Sequence, residues 1–253
     1  MDLEKKIRLS VVIPAYNEAS RIEETLRSLH SYLTGVSYDS EVIIVLNNCS
    51  DKTGYIASEW KGKIPHLSIL DIRTNDHIGN TKGYAIRHGL SRALGEYHLF
   101  MDADNATDIS EIEKVWPEFE KGFDVVIGSR YTKDADIKIR QKFFRRLLSR
   151  LGNFLIRVLV LPGIKDTQCG FKAFTKKASR IVFTHAKVYG WGADIEMLVI
   201  AKRAHMKIKE IGIVWEDKVR SMVKAISFVY TFIELWNIFL RWKGVTIRTD
   251  EKK

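Results

Sequence analysis

Short apolar runs alternate with longer amphipathic stretches through the first half of the chain. That alternation predicts an α/β fold whose mostly parallel sheet carries helices on both faces. Residues 9–13 form an apolar run that breaks at Pro14, as a buried strand does where it enters a loop. Ser20 then stands as a helix cap, with Glu23 at capping-box spacing, for a helix reaching about His30. Further strands are expected over 41–46, 67–72, 97–101 and 125–128, with helices over 53–60 and 81–93 between them. The second strand ends in the polar cluster Asn47, Asn48, Cys49, Ser50, Asp51, and the fourth runs directly into Asp102. In sheets of this kind ligands bind beyond the carboxyl ends of the strands. Pro14, Asn47 and Asp102 all fall at such ends.

The second half has a different texture. A helix rich in Arg and Leu is expected over 143–161, a short strand over 171–174, a helix over 194–204 and a strand over 208–214. Residues 222–242 form a long, strongly apolar helix. The chain divides on this reading into an α/β domain over 1–215 and an amphipathic helical extension over 216–253. On a helical wheel, Lys142, Arg145, Arg146, Ser149, Arg150, Asn153 and Arg157 share one side, and apolar residues cover most of the rest. This is the pattern of an interfacial segment, or of a helix packed on its own domain with a basic outer face. The last helix has a polar stripe through Lys224, Ser227, Thr231, Glu234, Asn237 and Arg241. Its wide apolar face needs cover from its own domain, a second subunit (a possible homodimer) or a bilayer.

Composition narrows the partners. The 253 residues carry a formal net charge of +10, which favours anionic partners such as phosphorylated substrates or anionic lipid. No zinc knuckle, helix-turn-helix or aromatic RNA motif accompanies that charge, so nucleic acid is not expected. The two cysteines, Cys49 and Cys169, are far apart and suggest a reducing compartment. The N-terminus lacks an apolar signal core, and no stretch supplies the roughly 20 apolar residues of a spanning helix. A cytoplasmic protein, peripheral on the cytoplasmic face of a membrane, is the expectation.

Asp102-Ala103-Asp104 is the sharpest chemical signal. Two carboxylates at a strand end can converge on Mg²⁺ or Mn²⁺, hard cations that share their oxygen ligands with substrate phosphates. A solvated acidic turn would look the same in isolation. The surrounding order settles more: VVIPAYNEASRIEETLRSL, IGNTKGYAIRHG, MDADNATD, VIGSRY, DTQCGFKAF and GWGADIEMLVIAKR. In this sequence the segments resemble the inverting family 2 glycosyltransferases of GT-A fold. The branch most similar acts on polyprenyl phosphates, comprising dolichyl-phosphate glucosyltransferases and dolichol-phosphate mannose synthases. The resemblance spans about residues 8–220, and DTQCGFKAF leans toward the glucosyltransferases.

The resemblance implies roles residue by residue. Pro14, Ala15, Tyr16 and Glu18 would line the nucleotide pocket, with Glu18 accepting a ribose hydroxyl. Lys82 would sit near the donor, a nucleotide-sugar, with UDP-glucose favoured. Asp102 and Asp104 would hold the metal, Asp102 also lying near the sugar or ribose. Arg130 would face phosphate, and Asp166 would lie near the reacting centre. Asp194 and Glu196 would border the acceptor or sugar. Arg140 and Arg145 would serve the acceptor phosphate or the membrane. Each also has a plainer structural reading: a strand end for Pro14, a carboxylate partner for Arg130, a turn for Asp166, a solvated helix face for Glu196.

Chemistry explains these residue types. Departure of a nucleoside diphosphate leaves negative charge that a cation stabilises. A lipid phosphate, whose second pKa is about 6, arrives already anionic. It needs cations to hold it beside the donor more than it needs a base, and arginine's fork suits phosphate. A hydroxyl acceptor would instead need a carboxylate base, a role open to Asp166 or Asp194. The expected reaction is inverting transfer of a hexose, glucose by preference, to a polyprenyl (dolichyl) phosphate. GDP-mannose as donor, or a soluble or glycan acceptor, stays open. One departure is specific: where the family carries Asp-Asp-Gly-Ser, this chain has Leu46-Asn47-Asn48-Cys49. Asn47 thus replaces a base-contacting aspartate, and its carbonyl can still accept from a uracil N–H.

Overall fold

The computed structural model describes residues 6–73, 81–139, 152–153, 156–216, 218 and 226–247, with residues 139 and 226–231 described by backbone alone. Its centre is a seven-stranded sheet of order β3-β2-β1-β4-β7-β5-β8. The strands are β1 (Leu9–Ala15), β2 (Ser40–Asn47), β3 (Leu67–Ile72), β4 (Tyr97–Met101), β5 (Val125–Ser129), β7 (Phe171–Thr175) and β8 (Ile208–Gly212). All neighbours pair parallel except β7, which runs antiparallel between β4 and β5. A separate ribbon pairs β6 (Asp136–Ile139) with β9 (Val214–Glu216) in parallel. Several of the expected boundaries shift. Pro14 does not end its strand but pairs opposite Val45 within β1, needing no ladder amide at that point. The single strand expected over 208–214 divides at Ile213, where the chain leaves the large sheet for the ribbon. The amphipathic helix expected over 143–161 lies mostly outside the described residues, Arg140 and Arg145 included.

Strand alternation builds two cores. Val11, Ile13, Ile44, Leu99 and Met101 face one side, packed on α1 (Ile22–Leu33), α2 (Thr53–Ser58), a 3₁₀ turn (Ile109–Lys114) and α4 (Trp116–Glu120). Val12, Ile43, Val45, Phe100 and Val125 face the other, under α3 (Lys82–Leu90), α5 (Lys176–His185), α6 (Ala193–Arg203) and α7 (Ile226–Trp242). In α1, Ile22, Leu26, Leu29 and Leu33 fall on one buried stripe, each stabilising the fold by about 1.5–3 kcal/mol. Ser20 does not cap this helix. Arg21 occupies the cap position with no side-chain capping bond to the helix, and the Glu18 carbonyl accepts from the Arg21 and Ile22 amides instead. Gly89 lets α3 lie close on the sheet, since a Cβ there would sit 2.4 Å from Val12 Cγ1.

The C-terminal helix packs on its own domain. Leu235, Ile238 and Trp242 of α7 are buried, while Phe232, Ile233, Trp236 and Leu240 are exposed. Within the polar stripe Glu234 turns inward and accepts from the Gly192 amide at 2.6 Å, while Asn237 and Arg241 stay exposed. Asn153, read from the wheel as a solvent-side residue, is buried, with Ile156 and Leu161 beside it in the core. No helix among the described residues is long and apolar enough to cross a membrane.

Candidate active site

The carboxyl ends of β1, β2 and β4 form one rim, and the chain turns out of each through an asparagine in the left-handed region: Asn17, Asn48 and Asn105, all with φ 52°. Asn17 Oδ1 accepts the Ser50 amide at 2.8 Å, and Thr53 Oγ1 accepts the Glu18 amide at 2.8 Å. These bonds stitch the β1–α1 turn to the β2–α2 turn. Cys49 Sγ donates to the Ala15 carbonyl at 3.3 Å across the same seam. Pro14 is half-buried, Ala15 buried and Tyr16 exposed at the rim. Asn47 closes β2; its amide nitrogen donates to Thr81 Oγ1, leaving a buried Oδ1 with no partner among the described residues. That oxygen is an available acceptor beside the start of α3.

Charged side chains alternate across the rim. Arg21 donates to both carboxylate oxygens of Glu18, from Nε at 2.7 Å and Nη2 at 2.7 Å. Its Nη1 reaches Asp104 Oδ2 at 3.5 Å. Burial pushes Glu18 up to about 7, Arg21 opposing and the charges of Asp104 and Asp102 adding to the rise. Asp104 is likewise raised, by burial first and then by Asp102. Asp102 pairs with Lys82 Nζ at 2.9 Å, and Lys82 reaches on to Asp194 Oδ2 at 3.3 Å. The other Asp194 oxygen meets Lys172 Nζ at 2.5 Å. Lys172 is fully buried and donates also to the Cys169 carbonyl at 2.6 Å. Burial alone would raise the Asp194 pKa; the fields of Lys172 and Lys82 overcome it and hold the carboxyl below its ordinary range.

Arg130 and Asp166 form a second cluster. Arg130 Nε and Nη2 donate to the two Asp166 oxygens at 2.7 and 2.9 Å, and the Arg130 amide donates to Oδ2 at 3.0 Å. Asp166 has no exposed surface. Its burial is outweighed by Arg130, so the carboxyl stays below its usual pKa. Both oxygens are therefore committed, and Asp166 orients Arg130 rather than standing as a base. The Asp166 loop joins the two clusters, because the Gly170 carbonyl accepts the Asp102 amide at 3.0 Å. Glycine leaves room for that carboxylate: a Cβ on Gly170 would lie 1.8 Å from Asp102 Oδ2 and would have to displace it.

Glu196 belongs to neither cluster and is not on a solvated face. It is buried, accepting the Lys187 and Val188 amides at 2.7 and 2.6 Å, Arg241 Nη1 at 3.1 Å and Trp242 Nε1 at 3.1 Å. Sequence reasoning passed over Arg21, Gly170 and Lys172. A lysine between Phe171 and Ala173 in an otherwise apolar strand was the available signal for the last.

Among the described residues no three His, Cys, Asp or Glu side chains converge as a ready cation cage. Asp102 and Asp104 nonetheless fit a hard divalent ion that completes its shell from phosphate and water. Burial first, and the Asp102 charge second, raise the Asp104 pKa, and a bound cation would offset both.

A parallel sheet interrupted by one antiparallel strand, with an acidic pair at the end of its central strand, is a GT-A-type glycosyltransferase scaffold. The chain belongs to glycosyl transferase family 2, whose family model matches residues 10–183. It is 32% identical over 255 residues to a dolichyl-phosphate beta-glucosyltransferase of Trichomonas vaginalis, covering 96% of this chain and 77% of that protein. The Homo sapiens dolichyl-phosphate beta-glucosyltransferase is 33% identical over 83% of this chain and 68% of its own length. In fold the chain is similar to glucosyl-3-phosphoglycerate synthase from Mycobacterium tuberculosis, solved with Mn²⁺, UDP and phosphoglyceric acid. That match has TM-score 0.70 and 16% identity, over 95% of this chain and 80% of that one. The protein is thus a glycosyltransferase.

Proposed function

We propose that this enzyme transfers glucose, with inversion, from UDP-glucose to a polyprenyl phosphate of the dolichyl type. The names of its relatives suggest the acceptor class and the sugar. The observation that carries the reading is the pairing of the carboxylates: Asp194 and Asp166, the two candidates for a general base, are both buried and both tied to cations. A hydroxyl acceptor would require one of them to take a proton, and their lowered pKa values oppose that. A phosphate acceptor already carries the nucleophilic oxyanion. It requires positive charge to approach the donor diphosphate, and Arg130 and Lys82 supply it.

Asp102 and Asp104 would hold Mg²⁺ or Mn²⁺, which when bound neutralises charge on the departing nucleoside diphosphate. Lys82 shares that electrostatic task from the start of α3. Glu18, fixed by Arg21, would accept from the ribose, and Asn47 Oδ1 would accept the uracil N–H. Pro14, Ala15 and Tyr16 would form the remaining wall of the nucleotide pocket. Arg140 and Arg145 would assist the acceptor phosphate.

The acceptor's lipid tail requires a membrane surface. The exposed stripe Phe232, Ile233, Trp236 and Leu240 on α7 suits burial in the headgroup boundary. Exposed Arg241 and Lys243 close by, and the net charge of +10, complement anionic lipid. The test is transfer of labelled sugar to dolichyl phosphate in detergent, comparing UDP-glucose, UDP-GlcNAc and GDP-mannose with Mn²⁺ present and Asp104→Ala as control. A lipid-extractable product from UDP-glucose, lost in the variant, is expected. Metal-dependent donor hydrolysis without lipid product from any donor would overturn the acceptor.

A further inference from the structure

The segment between α5 and α6, residues 186–192, builds one wall of the Lys82–Asp194 cluster, and α7 holds it. The Tyr189 carbonyl accepts the Gly83 amide at 2.8 Å, fixing the first turn of α3 where Lys82 sits. The Trp191 ring lies 5.9 Å from Lys82 Nζ. Gly192 is the cap residue of α6, and glycine brings no side chain to satisfy the first amides of the helix that carries Asp194.

Glu234 of α7 supplies the missing acceptor. Its Oε2 accepts the Gly192 amide at 2.6 Å. The approach is close enough to require both glycines. A Cβ on Gly190 would stand 2.0 Å from Glu234 Oε1, and one on Gly192 would stand 2.9 Å from Glu234 Cβ. A negative charge at this helix N-terminus is favourable as well. Two turns further along α7, Arg241 and Trp242 bind Glu196, which in turn holds the Lys187 and Val188 amides. The 187–192 segment is thus anchored at both ends through the inner face of α7. The outer face of the same helix exposes Phe232, Ile233, Trp236 and Leu240.

We infer that Glu234 is a positioning residue for the donor site, setting the Lys82–Asp194 cluster through the Gly190–Gly192 loop and coupling it to whatever α7 contacts. This rests on the reading of that cluster as the place where the donor diphosphate binds. The coupling gives a reason for the helix to be part of the enzyme rather than only its anchor. Glu234 directly follows Ile233 of the exposed face, so a displacement of α7 at a lipid surface would reach the loop through one residue.

The experiment is titration of the full chain with UDP-glucose and Mn²⁺ by calorimetry, for wild type, Glu234→Ala, Glu234→Gln and Val182→Ala. Val182 is a buried core residue of α5 and serves to match a loss of thermal stability. Glu234→Ala should weaken donor binding at least tenfold. Glu234→Gln, which keeps one acceptor of the same reach, should recover part of that loss. Val182→Ala, at equal or greater fall in Tm, should bind as wild type does. The inference is overturned if Glu234→Ala binds normally, or if Val182→Ala loses affinity in proportion to its Tm. Failure of the wild type to bind UDP-glucose, GDP-mannose or UDP-GlcNAc would instead overturn the reading of the cluster and this role with it.

Discussion

Single atoms set the tolerance of this site. Gly170 is the sharpest case, because the space a methyl group would need is filled by the Asp102 carboxylate. Gly170→Ala must therefore move Asp102 or the loop, while leaving both hydrophobic cores untouched. Displacing a group at the reacting centre by about 1 Å costs on the order of 100-fold in rate. Turnover in Gly170→Ala should fall by about that factor with Tm nearly unchanged; a normal rate would show that Asp102 is not needed where it stands. Lys172 behaves differently, since it is wholly buried and its partner Asp194 is nearly so. Lys172→Met leaves Asp194 with Lys82 alone, and removing one member of a buried pair costs about 3–5 kcal/mol. Adding Asp194→Asn should restore most of that stability in urea titrations and none of the activity. Additive losses in the double variant would mean that the two groups do not interact.

Elements carry these residues to one rim, and here α7 decides more than its position at the end of the chain suggests. Its inner face serves the 187–192 loop, and its outer face exposes Phe232, Ile233, Trp236 and Leu240, the proposed lipid contact. Phe232→Ser with Trp236→Ser should abolish flotation with vesicles containing anionic lipid, and lower transfer to dolichyl phosphate several-fold, while donor binding is unchanged. Flotation equal to wild type would move the membrane contact elsewhere. Much of this layer is legible in the sequence. Strands β3 and β4 match expectation to the residue, because each is an apolar run bounded by turn residues on both sides. The acidic pair and the Lys82, Arg130, Asp166 and Asp194 positions follow from ordered motifs. What the pattern conceals is orientation. Glu196 and Glu234 look like solvated helix positions because periodicity cannot say which polar residue has a buried amide to satisfy. Ser20 looks like a cap because the competing turn, closed by the Glu18 carbonyl, leaves no trace in residue type. The five-residue α4 and the six-residue 3₁₀ turn are too short to show a period at all.

Charge pairing at the rim also sets how the whole molecule responds to acid. Asp166 and Asp194 both have pKa values held below the ordinary 3.8 by buried cations. Between the folded and unfolded values the unfolded chain binds more protons, so stability rises with pH across that window. The contribution is therefore complete above about pH 3.8 and is lost as pH falls toward the depressed folded values. Asp166→Asn removes one of these contributions and leaves the half-buried Arg130 beside an amide, at a cost of about 3 kcal/mol near neutral pH. In wild type the same pairing is dismantled by protonation. Urea unfolding from pH 7 downward should then show two curves, well separated at neutral pH, that approach each other below the ordinary carboxylate range. A separation that stayed constant with pH would mean that Asp166 titrates alike in the folded and unfolded chain. Its bidentate contact with Arg130 would then hold no charge in place, and the electrostatic argument for an anionic acceptor would lose its firmest support.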